Sequence, residues 1–463
     1  MGESASEEIQ QEAGASIRYE DHNTKMIKET STSSENKNQN EQLVKEVTTM
    51  LETLEPPIST KCLIYKVPYH LRQWNKGAYT PQLISIGPIH HNNNGMQTME
   101  KCKVRYFKTF LQKAEIDLET LVSTITEMED SIRCCYLETV QLRSDKFVKM
   151  IMLDVSFILE LFRRDLCGIR RSDDPIFVED WLFSMVWQEL LLLENQLPFF
   201  VIQKIYDLAL PSLSKEFSLI HLTFIFFRYL NVHDKVPEPE MEIQHFTDLL
   251  RFFQQPPPHP TKKPNRGSKM ALLKYSVTQL HDAGVKFEVI SDKSMSELDL
   301  NFKNGVLEIP LLEFKDDTEA LVRNIMAVEQ CRHRMHSTDE YVISDFYLIL
   351  DHLVNTSKDV DLLRDKGIIV NHLGDSDTVT CLINNLNKGI FTSLMNSDYY
   401  ELCEELNEFY EKTWHRWKAL LRRQYFGTPW RVASTIAAII LLGLTLIQTV
   451  CSIIQIVPIF KSW

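Results

Sequence analysis

The sequence predicts a mainly α-helical protein, with α+β character confined to one small β-hairpin region, and a single C-terminal transmembrane helix. Apolar residues recur at helical spacing through most of the 463-residue chain. Asn304-Gly305 lies between two segments of alternating polarity, a pattern typical of a tight β-hairpin. The run Val432–Phe460 contains no charged residue and exceeds the roughly 20 residues that a helix needs to cross a bilayer.

The N-terminal segment 1–42 is predicted to be disordered and acidic. It is rich in Glu, Ser and Asn, and it shows neither apolar periodicity nor the apolar stretch of a secretory signal. Residues 1–55 hold twelve Asp or Glu and five Lys or Arg, so they supply −7 of the net charge of −13. The chain has no basic field outside the segment that precedes the apolar run, which argues against nucleic acid as a partner.

A first helical lobe is predicted over residues 43–253. Its first helix has apolar residues at helical spacing over Leu43–Leu54, and it ends at Pro56-Pro57 because proline cannot continue a helix. Extended pieces, cut by Pro and Gly, fill the chain from there to about residue 91.

The rest of this lobe, from Met99 onward, has helical apolar spacing. One predicted helix covers Phe147–Phe162. Another runs through Trp181 and the apolar residues that follow it to Phe200, with a break or kink at Pro198. These helices carry enough apolar surface for a core of their own.

A proline-rich linker is predicted over residues 254–269. Clustered prolines favour an extended, semi-rigid polyproline conformation, as found in spacers. A segment of this kind could also bind an aromatic-lined groove, but the spacer is the favoured interpretation.

A second lobe is predicted over residues 270–425, with a β-hairpin at 298–311. The Asn304-Gly305 pair supplies the two positive-φ positions of a type I′ turn, and Val285–Ile290 is a candidate third strand. The predicted helices of this lobe are Leu272–Ala283, Glu319–Arg334, Ser344–Asn355, Asp359–Arg364, Thr378–Asn387 and Asp398–Tyr425.

The transmembrane helix is predicted over residues 432–458. Aromatic and basic residues bracket it, as expected for side chains at the level of the lipid headgroups. The membrane-anchor flanks are Trp414, Trp417, Arg422, Arg423, Trp430, Arg431, Lys461 and Trp463.

The orientation of this helix follows from the distribution of charge. Residues 411–431 hold six Lys or Arg against Glu411, whereas only Lys461 follows the span. Positive charge stays on the cytosolic side, so we expect a tail-anchored, single-pass protein with its bulk in the cytosol. The nine scattered cysteines, without a CxxC pair, agree with a reducing compartment. The charge distribution fits the plasma membrane and an endomembrane equally, so both locations are retained as hypotheses.

The sequence contains no glycine-rich phosphate-binding loop and no HExxH or GxSxG motif, which are signatures of catalytic sites. Cys331, His333 and His336 are residue types that bind zinc, but their spacing does not place them on one helical face. We therefore interpret them as part of a basic helix end.

Two further sets of polar residues have structural interpretations. His90-His91 could bind a transition metal. The pair follows a Gly-Pro turn, however, and we interpret it as part of a polar loop. Asp375 and Asp377 could hold a divalent cation. Their Gly-Asp-Ser-Asp-Thr setting instead favours a turn that caps the next helix.

The triplet Glu194-Asn195-Gln196 lies in a very apolar helical stretch. Buried polar groups must be paired, so we expect these side chains to bridge helices. An enzyme built around them and the loop Ser85–His91 is a less favoured hypothesis, and it would require the two sets to line one concave pocket. The sequence assigns no catalytic, cofactor-binding or metal-binding residue, and we predict a protein that is not an enzyme and has no cofactor.

An ordered series of motifs over about residues 60–460 resembles the plant family known as domain of unknown function 247. Small departures are Ile89, where an aromatic residue is common, and Asn92, where a glycine is usual. The matching motifs are Val67–Arg72, Ala78–Pro81, Ser85–His91, Met99–Lys103, Met152–Glu160, Leu193–Phe200, Ala283–Phe287, Phe302–Pro310, Ala327–Cys331 and Tyr425–Trp430.

The resemblance implies a plant membrane protein with one C-terminal helix, a large helical body and no established catalytic activity. Our leading hypothesis is a membrane-anchored module whose partners are the lipid bilayer and an unidentified protein. The alternative is a determinant of pollen self-incompatibility that faces outside, a role attributed to certain grass members together with small secreted proteins. That role requires the opposite topology.

Overall fold

The computed structural model describes residues 40–51, 64–91, 94–169, 174–231, 234–237, 241–255, 272–290, 298, 300–331, 342–391, 395, 397–412, 417 and 429–460. Most of the predicted acidic segment 1–42 and of the predicted linker 254–269 lies outside these ranges. Residues 40–42, which were predicted to be disordered, are helical. The helix that carries the apolar stripe from Leu43 begins three residues before it. Met1–Ser59 and Thr60–Trp463 form two separate units.

Helices dominate the described residues, which confirms the predicted mainly α fold. The helices of the first half are α1 (40–51), α2 (Tyr69–Arg72), α3 (Gln97–Leu111), α4 (Leu118–Arg133), α5 (Ser144–Leu166), α6 (Pro175–Val178), α7 (Asp180–Glu189), α8 (Phe199–Ala209), α9 (Pro211–Glu216), α10 (Leu219–Phe226) and α11 (Phe246–Gln254).

The second half contains both helices and short strands. Its elements are α12 (Val277–Ala283), β1 (Lys286–Val289), β2 (Asn301–Lys303), β3 (Val306–Ile309), β4 (Leu312–Phe314), α13 (Thr318–Cys331), α14 (Val342–Leu353), α15 (Ser357–Asp365), β5 (Ile369–Asn371), α16 (Ser376–Leu386), α17 (Ser397–Glu411) and α18 (Pro429–Phe460).

Helix α5 is the centre of the first half. It packs against α3, α4, α8 and α10. Buried apolar side chains cover a wide face of this helix, among them Phe147, Ile151, Phe157 and Leu161, whereas Lys149 is exposed. A helix with so wide an apolar face packs against several neighbours at once.

The predicted hairpin is confirmed. Strands β2 and β3 pair antiparallel, with Phe302 opposite Leu307, and both turn residues have positive φ, 53° for Asn304 and 77° for Gly305. Strand β1 pairs with β3 in parallel and completes the predicted third strand.

A second sheet was not predicted from the sequence. Strands β4 and β5 pair in parallel, with Leu312 opposite Ile369. Each has only three residues, and α13, α14 and α15 lie between them in the chain. Such a pairing has no local signature, because a parallel connection leaves no turn motif beside the strands.

The core runs through both predicted lobes. The largest hydrophobic cluster combines buried residues from Ile64 to Leu406, and it includes members of α5, α14 and α17. The two lobes therefore share apolar packing. The boundary between them stays a prediction, because only Gln254 and Gln255 of the linker are among the described residues.

Two predicted helices are wrong in part. The helix predicted over Leu272–Ala283 begins only at Val277. The helix predicted from Trp181 is wrong in its second half. Helix α7 ends at Glu189, and residues 190–198 form an irregular buried loop before α8 begins. The side-chain amides of Asn195 and Gln196 donate to the carbonyl oxygens of Glu189, Leu190 and Leu192. These side chains replace the backbone donors that a continued helix would supply, so the loop keeps its carbonyl groups paired.

The structure places Asp375 at the start of α16. Its carboxylate accepts hydrogen bonds from the Thr378 N–H at 2.7 Å and the Thr378 hydroxyl at 2.8 Å. The side chain is therefore an N-cap, as the sequence favoured, and Asp377 is exposed within the first turn.

Replacing this cap tests its role. We expect Asp375→Ala to lower the free energy of unfolding by about 1 kcal/mol, because a first-turn N–H loses its acceptor. Asp375→Asn keeps an acceptor and should cost only a few tenths. Asp377→Ala is the matched control and should change stability by about 0.3 kcal/mol or less. Chemical unfolding of the full chain in detergent micelles measures all three, and equal losses for both alanine variants would contradict the cap.

Candidate functional site

Residues 64–91, which we call the strap, cross the helical body with little regular structure. The strap contains α2, a short 3₁₀ turn at Gly77–Tyr79 and one bridge between Ile64 and Tyr136. Several of its side chains are fully buried, including Val67, Ile84 and Ile86. A buried backbone without sheet or helix partners must find its hydrogen-bond acceptors elsewhere.

The last residue of α7, Glu189, supplies acceptors for three consecutive amides. The N–H groups of Gln82, Leu83 and Ile84 donate to its carboxylate at 2.6, 2.9 and 2.7 Å. Burial raises the pKa of Glu189 and outweighs the opposing effect of these hydrogen bonds. The side chain thus takes the place of a neighbouring β-strand.

Glu194 lies in the loop that follows α7, and its side chain is fully buried. Its carboxylate accepts from the Val67 N–H at 2.8 Å, from His90 Nε2 at 2.7 Å and from the Arg72 guanidinium. Burial alone would raise the pKa of Glu194, but the bonds from His90, Arg72 and Val67 outweigh it and hold the pKa below its usual value. Glu194 is therefore an ionised group inside the protein, paired with a cation.

The next two residues complete the same set of contacts. Asn195 accepts from the Ile86 N–H at 2.6 Å and donates to the Ile84 carbonyl at 3.1 Å. Gln196 accepts from the Phe246 N–H at 2.9 Å, which links the loop to the first residue of α11. The triplet bridges chain segments, as expected, although it does so from a loop and not from a helix.

Asp154, on α5, holds the end of the strap. It accepts from the Gly87 N–H at 2.8 Å and from the Lys103 ammonium at 2.7 Å. Lys103 is itself buried and also donates to the Ser85 carbonyl oxygen. Burial lowers the pKa of Lys103, but attraction to Asp154 and Glu100 prevails and raises it. Burial raises the pKa of Asp154 to about 6 against the attraction of Lys103, so the pair is ionised at neutral pH.

The backbone at Gly87 passes so close to the backbone of Gln196 that this position requires glycine. Its φ is +74°, and a Cβ atom at this position would lie 2.5 Å from the carbonyl oxygen of Gln196. No other residue can adopt this conformation without displacing the loop.

Asn324 connects this region to the second half of the chain. It lies on α13, accepts from the Leu193 N–H at 2.8 Å and donates to the Ala78 carbonyl at 2.7 Å. One side chain thus joins the strap, the loop 190–198 and α13. We call the set Asp154, Glu189, Glu194, Asn195, Gln196 and Asn324 the clamp.

The clamp is built to hold the backbone. Its carboxylates are occupied by amides and cations, and its residues do not line the cavity of about 220 Å³ beside the strap. That cavity is formed mainly by Pro88, Ile89 and residues 138–142. Ser85–His91 and Glu194–Gln196 are thus brought together in a buried bridging network, and Glu194–Gln196 do not line this cavity.

The other candidate residues lie apart. Cys331 ends α13, whereas His333 and His336 fall outside the described residues. Within the described ranges, no group of three His, Cys, Asp or Glu side chains could hold a metal ion. His90 binds Glu194, and half-buried His91 has a pKa lowered by burial.

The predicted membrane-anchor flanks are only partly described. Trp417 is exposed by 61% and Trp430 by 84%, and Arg431 lies within α18. Trp414, Arg422, Arg423, Lys461 and Trp463 lie outside the described residues. Helix α18 covers the predicted span 432–458, and its segment Val432–Cys451 is long and apolar enough to cross a membrane, with a mean hydropathy of 2.0.

The sequence patterns do not assign a role to three of the clamp residues. Asp154, Glu189 and Asn324 were not singled out, although each is a polar residue within an apolar helical stretch. Such an isolated polar residue is a usable signal, because a buried one must be paired.

Comparison with known proteins places the chain among plant proteins. The family of domain of unknown function 247, described as plant protein of unknown function, matches residues 64–444. A UPF0481 protein of Arabidopsis thaliana is 29% identical over 429 residues, which cover 87% of this chain and 88% of the relative. A putative UPF0481 protein of the same plant is 21% identical over 482 residues, with 83% and 89% covered. No solved structure matches.

Removing Glu194 tests the clamp. We expect Glu194→Ala to lower the free energy of unfolding by about 3–5 kcal/mol, because the Arg72 cation and the Val67 amide lose a buried acceptor. Glu138→Ala is the control, since Glu138 is 57% exposed and 3.9 Å from Lys66. It should cost less than about 0.5 kcal/mol. Denaturant unfolding of the full chain in micelles gives both values, and similar losses would contradict the clamp.

Glu329, on α13, is another buried carboxylate that accepts hydrogen bonds from backbone amides, here at the start of α14. It is fully buried and accepts from the Ile343 and Ser344 N–H groups at 3.2 and 2.8 Å. Burial raises its pKa to about 7, against the opposing effect of the Ser344 hydrogen bonds.

This shift predicts a dependence of stability on pH. The folded protein binds the Glu329 proton more tightly than the unfolded chain, whose carboxyl has the usual pKa of 4.5. The stabilisation is therefore complete below about pH 4.5 and is lost as the pH rises through about 7. Relative to wild type, Glu329→Gln should gain on the order of 3 kcal/mol across this window. Unfolding at several pH values measures the difference, and a constant difference would contradict the shift.

Proposed function

The chain belongs to the plant family of domain of unknown function 247, and we propose that it is a tail-anchored, single-pass membrane protein whose helical body binds a protein partner in the cytosol. Helix α18 is the observation that carries the proposal. Its apolar segment of 20 residues has the length of a bilayer core, about 30 Å at 1.5 Å per residue.

The surroundings of this segment support an anchor. Side chains such as Ile440, Leu441 and Leu446 are exposed by 57–66%, and none of the segment is buried against the rest of the chain. A core helix of a soluble protein would be covered by other elements. Exposed apolar surface on this scale is stable in lipid and not in water.

The charge distribution supports a cytosolic body. Six Lys or Arg precede the span within residues 411–431, and Lys461 alone follows it. Basic residues are retained on the cytosolic side of a membrane, where they also meet anionic lipid.

A binding role agrees with the surface and with the clamp. The buried carboxylates are engaged in holding the backbone, whereas several large aromatic side chains face solvent. Exposed aromatic residues are characteristic of the centres of protein interfaces. The exposed aromatic residues of the body include Tyr69, Trp74, Trp181, Tyr229 and Phe391.

The topology is tested with sealed plant microsomes and epitope tags at both ends. We expect added protease to remove the N-terminal tag and to leave the C-terminal tag protected. Asn355, in the sequon Asn355-Thr356-Ser357, is an exposed reporter and should carry no glycan.

Protection of the body from protease would contradict the proposed topology. A protected body, with a glycan that Asn355→Gln abolishes, would overturn the cytosolic topology. It would favour the alternative, a recognition determinant of the self-incompatibility type that faces outside.

A further inference from the structure

Three exposed aromatic residues and the half-buried His70 lie on the outer side of the strap, and we call these four residues the aromatic patch. They are Tyr69, His70 and Trp74, at and just after α2, together with Phe391. Tyr69 is exposed by 74%, Trp74 by 48% and Phe391 by 68%. The rings of His70 and Phe391 lie 5.1 Å apart, centroid to centroid.

The turn 388–391 is fixed against α2 by close contacts. Gly389 has φ +86°, and a Cβ atom there would lie 2.4 Å from the His70 carbonyl oxygen and 3.3 Å from Trp74 Nε1. The ammonium of Lys388 lies 4.9 Å from the centre of the Trp74 ring. Glycine is needed for this approach, so the two parts of the patch are held in one arrangement.

Phe391 is also held through its own backbone groups, which bond to the side chain of Gln330. Its N–H donates to the side-chain oxygen of Gln330 at 3.0 Å, and the Gln330 amide donates back to its carbonyl oxygen at 3.3 Å. Beneath the patch, Ile390 packs on a second hydrophobic cluster that contains Val67, Leu71 and Leu193. The exposed rings therefore stand on a rigid base, which reduces the entropy lost when a partner binds.

The charge around the patch is positive. Residues 60–99 contain no Asp or Glu, and exposed Lys76 and Lys388 flank Trp74. The carboxylate beneath, Glu194, is neutralised by Arg72, and half-buried Asp351 interacts with Lys388. Since the whole chain carries −13, this is a basic aromatic site on an acidic protein.

We propose that the aromatic patch docks a short acidic peptide segment of the partner protein, with a large apolar side chain of that segment packed against Trp74 and Phe391. Aromatic and apolar contacts supply the affinity, and the two lysines select for carboxylates. This inference rests on the proposed binding function and names the surface and the chemistry of the partner.

A phage-displayed library of random peptides tests the proposal on the full chain in nanodiscs. We expect the enriched peptides to carry net negative charge together with Trp, Phe or Leu. Their binding should weaken when NaCl is raised from about 50 to about 300 mM. Failure to enrich any peptide, or enrichment of neutral or basic peptides, would overturn the proposal.

Matched variants locate the binding. Trp74→Ser and, separately, Phe391→Ser should weaken the selected peptides at least about tenfold. The controls are Trp181→Ser and Tyr229→Ser, since Trp181 is exposed by 59% and Tyr229 by 77% and both lie outside the patch. Equal weakening by the controls, or none by either patch variant, would overturn the assignment. Thermal unfolding of each variant confirms that it is folded.

A parallel experiment separates this proposal from the proposed function. Crosslinked complexes are purified from plant membranes that express wild type, Trp74→Ser or Trp181→Ser. A protein that crosslinks equally to all three would leave the binding function in place and contradict the patch. The absence of any crosslinked protein from wild type would instead contradict the binding function itself.

Discussion

The structure depends on pairing the buried amides of the strap with buried side chains. An unpaired amide inside the protein costs free energy, and an unpaired carboxylate costs much more. The two costs are removed together where Glu189 accepts from three amides and where Asp154 and Glu194 accept from those of Gly87 and Val67, while Asn195 accepts from the Ile86 amide. Because Asn324 joins the same contacts from α13, the clamp also fixes the second half of the chain against the first.

The clamp also explains the aromatic patch. In the short helix α2, Leu71 and Arg72 face the interior, and Arg72 is held by Glu194. Tyr69, in the same turn, is thereby exposed, and the ring of the half-buried His70 lies beside Phe391. A surface presented by a structure fixed in this way needs little reorganisation on binding, which suits a recognition role.

The sequence predicted what local signals determine. The Asn304-Gly305 hairpin, the Asp375 cap and the apolar α18 each follow from neighbouring residues. The clamp could not be predicted in this way, because Gln82 pairs with Glu189 and Val67 with Glu194, more than 100 positions apart in each case. The sequence predicts helix over the loop 190–198 for the same reason. Its apolar residues fit helical spacing, and the acceptor of the Leu193 N–H lies 131 residues away.

Hydrogen exchange of the strap tests this account most directly. The full chain in nanodiscs is labelled in D₂O, and exchange at individual amides is read by fragmentation mass spectrometry. We expect the amides of Gln82, Leu83, Ile84, Ile86 and Gly87 to exchange as slowly as those of α5, although none lies in a helix or strand. Exchange at the rate of an exposed loop would contradict it, because the buried carboxylates would then not be holding the backbone.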